Sequence, residues 1–448
     1  MKRVLAVLGS FLLGATLAAA SPNVEVRRKA LSDLLAEQWE YTMRTSPEFA
    51  SILGDKRYND KLSDFSQRAI DDDIAQSGKF LKRFEAIDTA GFPEQEALNK
   101  VLMVRYLKNQ LEDARWKEWE MPVTQISGVH LDYPQLISLL SFASEKDYED
   151  FIARMRQFPA LMDQTIVQMR NGMRDGLMPP KFLLEKVVTQ AENMAAETPE
   201  KSAWSLPLAK LPESLSTAEQ KRLREKYLAA VRDSVLPAYA KFAKFVKQEY
   251  APRGRTEPGM WSLPDGEARY ANRARRSTTT EMTPEEIHQL GLREVARIEG
   301  EMSAIARHLG FEDLNKFRAS IKGNHALYAK SREQILELYR GYTKQMEGKS
   351  AELFGRLPKA PVEIRAVEEF REKESPGAEY NQGTPDGSRP GQVKVNTGDP
   401  ESRQTISMES TAYHEGIPGH HLQISIAQEL PELPPFRQQA HFTAYVEG

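Results

Sequence analysis

The first half of the sequence is a nearly unbroken succession of amphipathic helical segments, and this pattern limits the fold more than any other feature. Apolar residues recur at helical spacing from Val24 to about Tyr250, for example in "LSDLLAEQWEYTMR" and "EKYLAAVRDSVLPAYAKFAKFVKQEY". The breaks "SPEF", "LMPPK" and "ETPEK" all contain proline, which helix interiors exclude. Such helices bury their apolar stripes against one another, so we predict an α-helical array with its periodic apolar positions in the core.

The N-terminal residues form a separate element. Lys2 and Arg3 precede the apolar run "VLAVLGSFLLGATL", which ends in small residues before Ser21, and this is the layout of a cleavable export signal. The run is shorter than the roughly 20 residues that span a bilayer, so we expect no membrane span in the mature chain. The sequence has no cysteine, hence no lipid-anchor site and no disulfide. We predict a signal peptide at 1–20 and an exported, periplasmic or secreted, protein.

The charge pattern argues against nucleic acid as a partner. The sequence has 61 basic and 64 acidic residues, mixed in sign along the chain, for a formal net charge of -3. Nucleic-acid binding requires a basic face or stripe, which this pattern lacks. The sequence leaves the oligomeric state open.

A passage rich in proline and glycine, "APRGRTEPGMWSLPDG", predicts the boundary between two regions. We place an N-terminal helical region at 21–255 and a second region at 256–448. The second region opens with a helix whose start is marked by Thr283 and Glu286, which form a capping box. We expect this helix to bury a stripe comprising Ile287, Leu290, Val295, Ile298, Met302, Ile305 and Leu309.

Further along, "PVEIRAV" and "GQVKVNT" have the pattern of short strands, and "ESPGAEYNQGTPDGSRPG" between them predicts a long loop. We therefore predict a mainly α fold with a small β-sheet. The strand around 392–397 could pair with an extended substrate, as edge strands do, or simply add one more strand to the sheet. Arg389 is a candidate to bind a substrate carboxylate, against the commoner role of bracing a loop.

The segment "YHEGIPGHHL" concentrates three histidines and a glutamate. Catalytic zinc sites use three protein ligands and keep a fourth position for water. In HExxH enzymes the two histidines are four residues apart on one helix face, and the glutamate between them handles the proton of the water. Here His420 and His421 follow His414 by six and seven residues. On an unbroken helix, six residues leave the side chains about 120° apart and seven separate the Cα atoms by about 10 Å, so neither pair fits one zinc ion.

Pro418 and the glycine after it remove this conflict. Proline cannot donate to the carbonyl four residues earlier, which is that of His414, and a Pro-Gly pair favours a kink or bulge. An expanded turn after Glu415 would bring His420 beside His414. We predict His414 and His420 as metal ligands, with His421 as the alternative to His420. Glu415 is the predicted catalytic residue that takes the proton of the water.

A catalytic zinc site needs a third ligand. Glu447, in "HFTAYVEG", is the candidate, carried by a second helix that we expect to begin near Phe436. His441 is a weaker candidate. The alternative is that these residues bind no metal and form only a polar surface at a helix break.

With these motifs the sequence resembles the bacterial domain-of-unknown-function 885 family, whose members resemble zinc peptidases of the gluzincin type. The resemblance runs from "SPEFASILGDKRYND" through "LPDGEARYANRARRSTTTEMTPEEIHQLGLREVARI" and "DGSRPGQVKVNT" to "HEGIPGHHLQ" and "YVEG". The combination, order and distance of the last two motifs are specific. Family members continue beyond Gly448 with "WALYAE", so we expect the second region to be C-terminally incomplete in this chain.

The resemblance implies a metallopeptidase-like, zincin-like catalytic lobe in the second region, with the small sheet next to the HExxPGHH helix. It also implies an exported zinc-dependent hydrolase, a metallopeptidase that cleaves peptide bonds with a zinc-activated water. Zinc is then the cofactor and a peptide is the substrate. The alternatives are a non-catalytic exported helical binding protein and a zinc hydrolase that acts on other esters or amides.

Overall fold

The computed structural model describes residues 23–439 and 442–447, so the predicted signal peptide at 1–20 lies outside the described residues. The fold is mainly α with a small β-sheet, which confirms the predicted fold class. Among the described residues, no helix is both long enough and apolar enough to cross a bilayer. The α-helices are α1 (Val24–Thr45), α2 (Pro47–Ile52), α3 (Gln67–Glu85), α4 (Glu94–Ala114), α5 (Val129–Ile137), α6 (Glu145–Asp175), α7 (Lys181–Ala196), α8 (Thr217–Ala230), α9 (Leu236–Phe245), α10 (Gly266–Thr278), α11 (Pro284–His308), α12 (Leu314–Gly323), α13 (Arg332–Leu353), α14 (Met408–Glu415), α15 (His420–Gln428), α16 (Pro435–Gln438) and α17 (Thr443–Val446).

The longest helix, α6, organises the largest core. Its first turn is closed by a capping box in which Ser144 and Asp147 bond each other's backbone N–H groups. Fourteen of its residues are buried, because it packs against α8, α9 and the segments around them. Phe158 meets Trp204 edge to face, with ring centroids 4.7 Å apart. The predicted helical array is therefore present, and the predicted helix ending at Tyr250 runs through α8 and α9 with π-helical turns at 231–235 and 246–250.

Contacts also join the predicted N-terminal region to the predicted second region. A smaller core between α1, α3 and α4 includes Phe436 from α16. Next to it, Arg437 donates to the side-chain oxygen of Asn99 at 3.0 Å. The division at 255 and 256 stays a prediction.

A three-stranded sheet packs against the histidine segment. Its strands are β1 (Val362–Ala366), β2 (Ala378–Asn381) and β3 (Gly391–Val395), in the order β1-β3-β2. β2 is in contact with the helix that contains His414. β1 pairs with β3 in parallel and β2 pairs with β3 in antiparallel orientation. The two strands predicted from the sequence are present. The stretch predicted to be a loop contains β2, which forms because its backbone pairs with β3, a contact distant in sequence.

The position of β3 overturns one prediction. Both edges of β3 are hydrogen-bonded to neighbours and all five of its residues are buried. The strand around 392–397 therefore has no free edge for an extended substrate. The prediction that it pairs with a substrate is wrong, and it is an internal strand of the sheet. β2 is the last strand in the described part of the sheet on this side.

The helix α11 overturns a second prediction. It begins with the expected capping box, since Thr283 Oγ accepts the Glu286 N–H at 3.2 Å and Glu286 accepts the Thr283 N–H at 2.8 Å. The stripe that we expected to be buried is mostly exposed, and Ala306 is the buried residue of the helix. The stripe is exposed because the face of α11 that packs against the rest of the chain is the face that contains Ala306. No element in the described part of the chain covers the stripe.

Candidate metal centre

The histidine segment folds as two short helices with a break between them. α14 ends at Glu415 and α15 begins at His420. Across the break, the N–H of Gly419 donates to the carbonyl of Tyr413 at 2.8 Å, and the N–H of His421 donates to the carbonyl of Gly416 at 3.1 Å. The intervening residues are thus held in a compact turn by backbone hydrogen bonds.

Glycine is required at position 419 by a close backbone approach. A Cβ atom added there would lie 1.8 Å from the carbonyl oxygen of His414 and 2.4 Å from its carbonyl carbon. No side chain fits at that distance without displacing the end of α14. The "PG" pair in the sequence is therefore the local cause of the geometry that follows.

The break brings His420 next to His414, with ring centroids 4.5 Å apart. Glu447 completes a triangle, since its carboxylate oxygens lie 3.6 Å from Nε2 of His414 and 3.7 Å from Nε2 of His420. One ligand atom from each of the three residues lies within 4.8 Å of the other two. These are the three residues that the sequence analysis selects as first-choice ligands, and their binding of a metal stays a prediction.

The geometry and chemistry of this triangle fit a zinc ion. Zinc binds histidine nitrogen and carboxylate oxygen at about 2.0 to 2.2 Å, and tetrahedral geometry then separates neighbouring ligand atoms by about 3.3 to 3.6 Å. The two histidine–Glu447 separations of 3.6 and 3.7 Å are close to these values. Two histidines and one carboxylate are also a donor set of catalytic zinc sites, which keep a fourth position open.

Glu447 reaches the histidines from the end of the described chain. The single helix expected from Phe436 is wrong, because α16 and α17 are separate four-residue helices and Glu447 follows α17. A hydrogen bond of 2.7 Å from the side chain of Gln423 to the carbonyl of Tyr445 ties α17 to α15. His441, the weaker candidate, lies outside the described residues.

Glu415 lies beside this triangle in a desolvated position. It is 8% exposed, and burial is the main cause that raises the pKa of its carboxyl group. The charge of His414 lowers this pKa, while the negative charges of Glu447 and Glu379 raise it further. The backbone N–H of Tyr380, on β2, bonds the carboxyl group and lowers the pKa. The result is a carboxyl group that binds a proton more readily than an exposed glutamate does.

His421, predicted as the alternative ligand, has a different environment. Its Nε2 donates to the carbonyl of Ala360 at 3.0 Å, and its Nδ1 faces the hydroxyl groups of Tyr380 at 3.1 Å and Ser425 at 3.3 Å. Burial lowers the pKa of His421 to about 4, so the ring is neutral. Both ring nitrogens are engaged by protein groups, and the structure does not bring His421 into the triangle.

Arg389 braces a loop and does not point to a binding site. Its guanidinium donates to the carbonyl of Gln382 at 2.8 Å and to the carbonyl of Ile52, in α2, at 2.9 Å. The proposed contact with a substrate carboxylate is therefore wrong, and the commoner role of such an arginine applies.

Tyr380 is the residue of this site that the sequence analysis missed. Besides its backbone contact with Glu415, its ring lies over His420 with centroids 6.4 Å apart and its hydroxyl meets His421. It belongs to the stretch that was predicted to be a loop. Only the alternation in "AEYN" could have signalled a strand there, and four residues are too few to distinguish it from a turn.

A family comparison supplies the wider context. The family model described as "Bacterial protein of unknown function (DUF885)" matches residues 47–448. The chain belongs to this family. Comparison with curated proteins gives no match.

Two solved structures resemble this DUF885 protein in fold. A protein from Colwellia psychrerythraea described as a "putative lipoprotein" is 24% identical, with a TM-score of 0.86 over 94% of this chain and 76% of the other. A "putative lipoprotein of unknown function" from Shewanella oneidensis is 17% identical, with a TM-score of 0.56 over 95% of this chain and 77% of the other. At these identities the likeness shows the fold alone.

Proposed function

We propose that this protein is an exported zinc-dependent hydrolase that cleaves peptide bonds. The observation that supports the proposal most strongly is the triangle of His414, His420 and Glu447 beside the buried Glu415. Two imidazoles and a carboxylate would hold the ion and leave the fourth position of a catalytic zinc site for water. A bound zinc ion supplies a water with a pKa near 7 and polarises the carbonyl group that is attacked.

Glu415 performs the proton transfers in this proposal. Its position directly after the ligand His414 places the carboxyl group at the edge of the site. As a carboxylate it accepts the proton of the attacking water, and as the neutral acid it delivers that proton to the leaving nitrogen. Burial raises the pKa of Glu415, which makes its carboxylate a stronger base and so supports the first step.

A peptide substrate is favoured by the strand next to Glu415. β2 is antiparallel to β3 and is the last described strand on its side of the sheet. An edge strand binds an extended backbone through the main-chain groups that the fold leaves unpaired, and on β2 the N–H of Tyr380 is already bonded to Glu415. The contact between Tyr380 and Glu415 would place that backbone close to the reacting groups.

Export is part of the same proposal. The layout of residues 1–20 has the charge, apolar run and small residues of a cleavable signal. Both solved neighbours are described as lipoproteins, a class of exported proteins.

The first experiment is the measurement of zinc per chain, by elemental analysis after dialysis, on the mature protein. We expect about one zinc per chain and near-complete loss in the double variant His414→Ala/His420→Ala. The matched control is His288→Ala/His308→Ala, which removes two exposed histidines from α11 and should retain the zinc. Folded parent and ligand variant with equally little zinc would refute the metal site.

The second experiment tests catalysis with peptide and ester libraries. We expect peptide cleavage that falls by roughly 100-fold to 10,000-fold in Glu415→Gln, the usual contribution of a general acid or base. Glu409→Gln is the control, because Glu409 is exposed on the same helix and accepts a hydrogen bond from the hydroxyl of Tyr413. Hydrolysis of esters without peptides would assign a different substrate class. A zinc-loaded protein inactive on both libraries would favour the non-catalytic binding protein.

A further inference from the structure

A polar cavity lies at the start of α14, at the opposite end of that helix from Glu415. Its volume is about 580 Å³, and its walls come from the end of α12, from α13, from β3 and from the first turn of α14. The same helix therefore carries Met408 and Thr411 at the cavity and Glu415 beside the candidate metal centre. We call this space the α14 cavity.

The charges that line the α14 cavity are all positive. Within the described part of the chain, its walls contain the cations Lys322 and Arg403 and no carboxylate. Neither cation forms an ion pair with another described residue. The nearby carboxylate of Glu372 is engaged by the guanidinium of Arg332 at 2.7 and 2.8 Å. A cavity lined by two cations attracts an anionic group.

Arg403 is oriented by the backbone beside it. Its Nε donates to the carbonyl of Gly398 at 2.6 Å. The two terminal nitrogens of its guanidinium have no hydrogen-bond partner among the described residues. A planar guanidinium with both terminal nitrogens available binds the two oxygens of a carboxylate with parallel hydrogen bonds. The chemistry of the α14 cavity is therefore that of a carboxylate site.

Two elements connect the α14 cavity with Glu415. On α14, Thr411 precedes Glu415 by four residues, so the two side chains are neighbours on one face, about 6 Å apart along the axis. In the sheet, Gly377 lines the cavity and Tyr380 bonds Glu415 through its backbone N–H. These two residues are three positions apart, about 10 Å of extended chain. A group bound in the cavity thus lies roughly 6 to 10 Å from Glu415.

Tyr339, on α13, is close to both places. It lines the α14 cavity and is buried. Burial raises the pKa of its hydroxyl to about 12; a hydrogen bond with Thr411 lowers this pKa, the charge of Glu415 raises it and the charge of Arg403 lowers it. One hydroxyl is therefore within electrostatic reach of the cation in the cavity and of the predicted catalytic residue.

We propose that the α14 cavity binds the terminal carboxylate of the peptide substrate, with Arg403 bonding it and Lys322 supplying a second positive charge. An extended peptide advances about 3.3 to 3.6 Å per residue, so a separation of roughly 6 to 10 Å corresponds to two or three residues. The protein then removes a fragment of two or three residues from the C-terminus. This inference rests on the proposed function, because it assigns the substrate of the same site.

Binding is measured separately from catalysis. The probes are two fluorescent pentapeptide mixtures with randomised residues, one ending in a free carboxylate and the other in a carboxamide. Fluorescence anisotropy with the mature protein, in the presence of a chelator, should show the free-acid mixture binding more tightly by about 10-fold or more, the usual contribution of a charged hydrogen-bonded pair. Because the chelator removes zinc, this difference does not depend on the metal centre.

Matched variants locate the binding. Arg403→Gln should abolish the preference for the free acid and leave carboxamide binding unchanged, and Arg403→Lys should restore part of the preference. Arg307→Gln is the control, because Arg307 also donates through Nε to a backbone carbonyl, that of Ser303 at 3.2 Å, and lies outside the cavity. Lys322 is exposed, so Lys322→Gln should keep the fold and weaken free-acid binding by a smaller factor. Circular dichroism checks the fold of each variant.

Catalysis gives the second readout. Mass spectrometry of the free-acid mixture, incubated with the zinc-loaded protein, should show release of C-terminal fragments of two or three residues. Arg403→Gln should raise KM for free-acid peptides more than it lowers kcat, and it should leave the kinetics with carboxamides unchanged. A purely structural role of Arg403 would instead affect both mixtures equally.

Three results would overturn the proposal. The first is equal binding of the two mixtures, and the second is absence of binding by the free-acid mixture. The third is tighter binding of inorganic phosphate than of the free-acid mixture, which would assign the α14 cavity to a small free anion. Failure of the proposed function differs from these results, because a protein without zinc or hydrolysis can still distinguish acid from amide. A zinc-loaded, active protein that binds both mixtures equally would refute this inference alone.

Discussion

Two regions of the molecule can be compared: the break between α14 and α15, and the helix α11. A prediction from a local sequence pattern was confirmed in the first region and wrong in the second. In the break, a Pro-Gly pair predicts an expanded turn, and His420 does lie beside His414. In α11, apolar periodicity predicts a buried stripe, and the stripe is mostly exposed. The first prediction concerns residues that are close along the chain. The second requires a partner from elsewhere.

This difference teaches how far a local pattern can be trusted. Steric conflict between Gly419 and His414 involves atoms five residues apart, so it acts in almost any surroundings. A hydrophobic stripe states which face of a helix prefers to leave water. It does not state that a partner is present to cover that face.

Substitution of two glycines gives the sharpest test of this comparison. Gly419→Ala places a methyl group on the backbone of His414, and we expect a loss of about 3 kcal/mol in the free energy of unfolding together with loss of zinc. Gly291→Ala, in open space on α11, should instead stabilise the protein by about 0.5 to 1 kcal/mol. Chemical denaturation and zinc analysis of both variants would decide. Equal effects would show that the break is not sterically determined.

Acid titration should reveal the contribution of a histidine in the packed interior to the free energy of unfolding. Burial lowers the pKa of His130 to about 4, whereas the unfolded residue titrates near 6.5. Between these pH values the unfolded chain binds the proton and the folded chain does not. The free energy of unfolding is therefore highest above pH 6.5 and should fall by roughly 2 to 3 kcal/mol as the pH decreases to 4. In His130→Gln this part of the pH dependence should disappear, and an unchanged slope would contradict the assignment.

Two histidines of the same segment should differ in their effect on stability. His421→Ala leaves the carbonyl of Ala360 without this partner and removes one of the partners of the Tyr380 hydroxyl, so we expect a loss of about 2 to 3 kcal/mol. His414 is half exposed, and His414→Ala should change the stability of the metal-free protein by less than about 0.5 kcal/mol. Denaturation in the presence of a chelator measures both. The reverse order would contradict the buried, hydrogen-bonded position of His421.

The smallest effect is expected on α11 itself. Val295→Asp puts a charge on the exposed apolar stripe of α11, where water solvates it, so the free energy of unfolding of the isolated protein should change by less than about 0.5 kcal/mol. A loss of several kcal/mol would show that another part of the same protein covers the helix in solution. Denaturation curves at two protein concentrations would distinguish that result from a dimer.

The predicted fold class was confirmed because its signals are dense and repeated along the chain. α6, α8 and α9 each carry a long apolar stripe, and their mutual packing buries it. The sheet was predicted only in part. Its strand β2 has four residues and no distinctive pattern, so it becomes a strand only through pairing with β3.

The candidate site follows the same rule. The residue types and the break that bring His414 and His420 together can be read from one short segment. The roles of His421 and Arg389 could not, because they depend on Ala360, Tyr380 and Ile52, which are distant in sequence. An isolated histidine or arginine does not reveal whether its partner is a ligand or a backbone carbonyl.

The sequence by itself determined the helical array, the position of the Pro-Gly break and the set of side chains suited to zinc. These features follow from backbone sterics, helical periodicity and donor chemistry, all of which act over a few residues. Only the tertiary structure decided that β3 is central, that Glu447 meets the two histidines and that the apolar stripe of α11 is exposed among the described residues. Burial and proximity are properties of pairs of segments, and chain connectivity alone does not specify which segments meet.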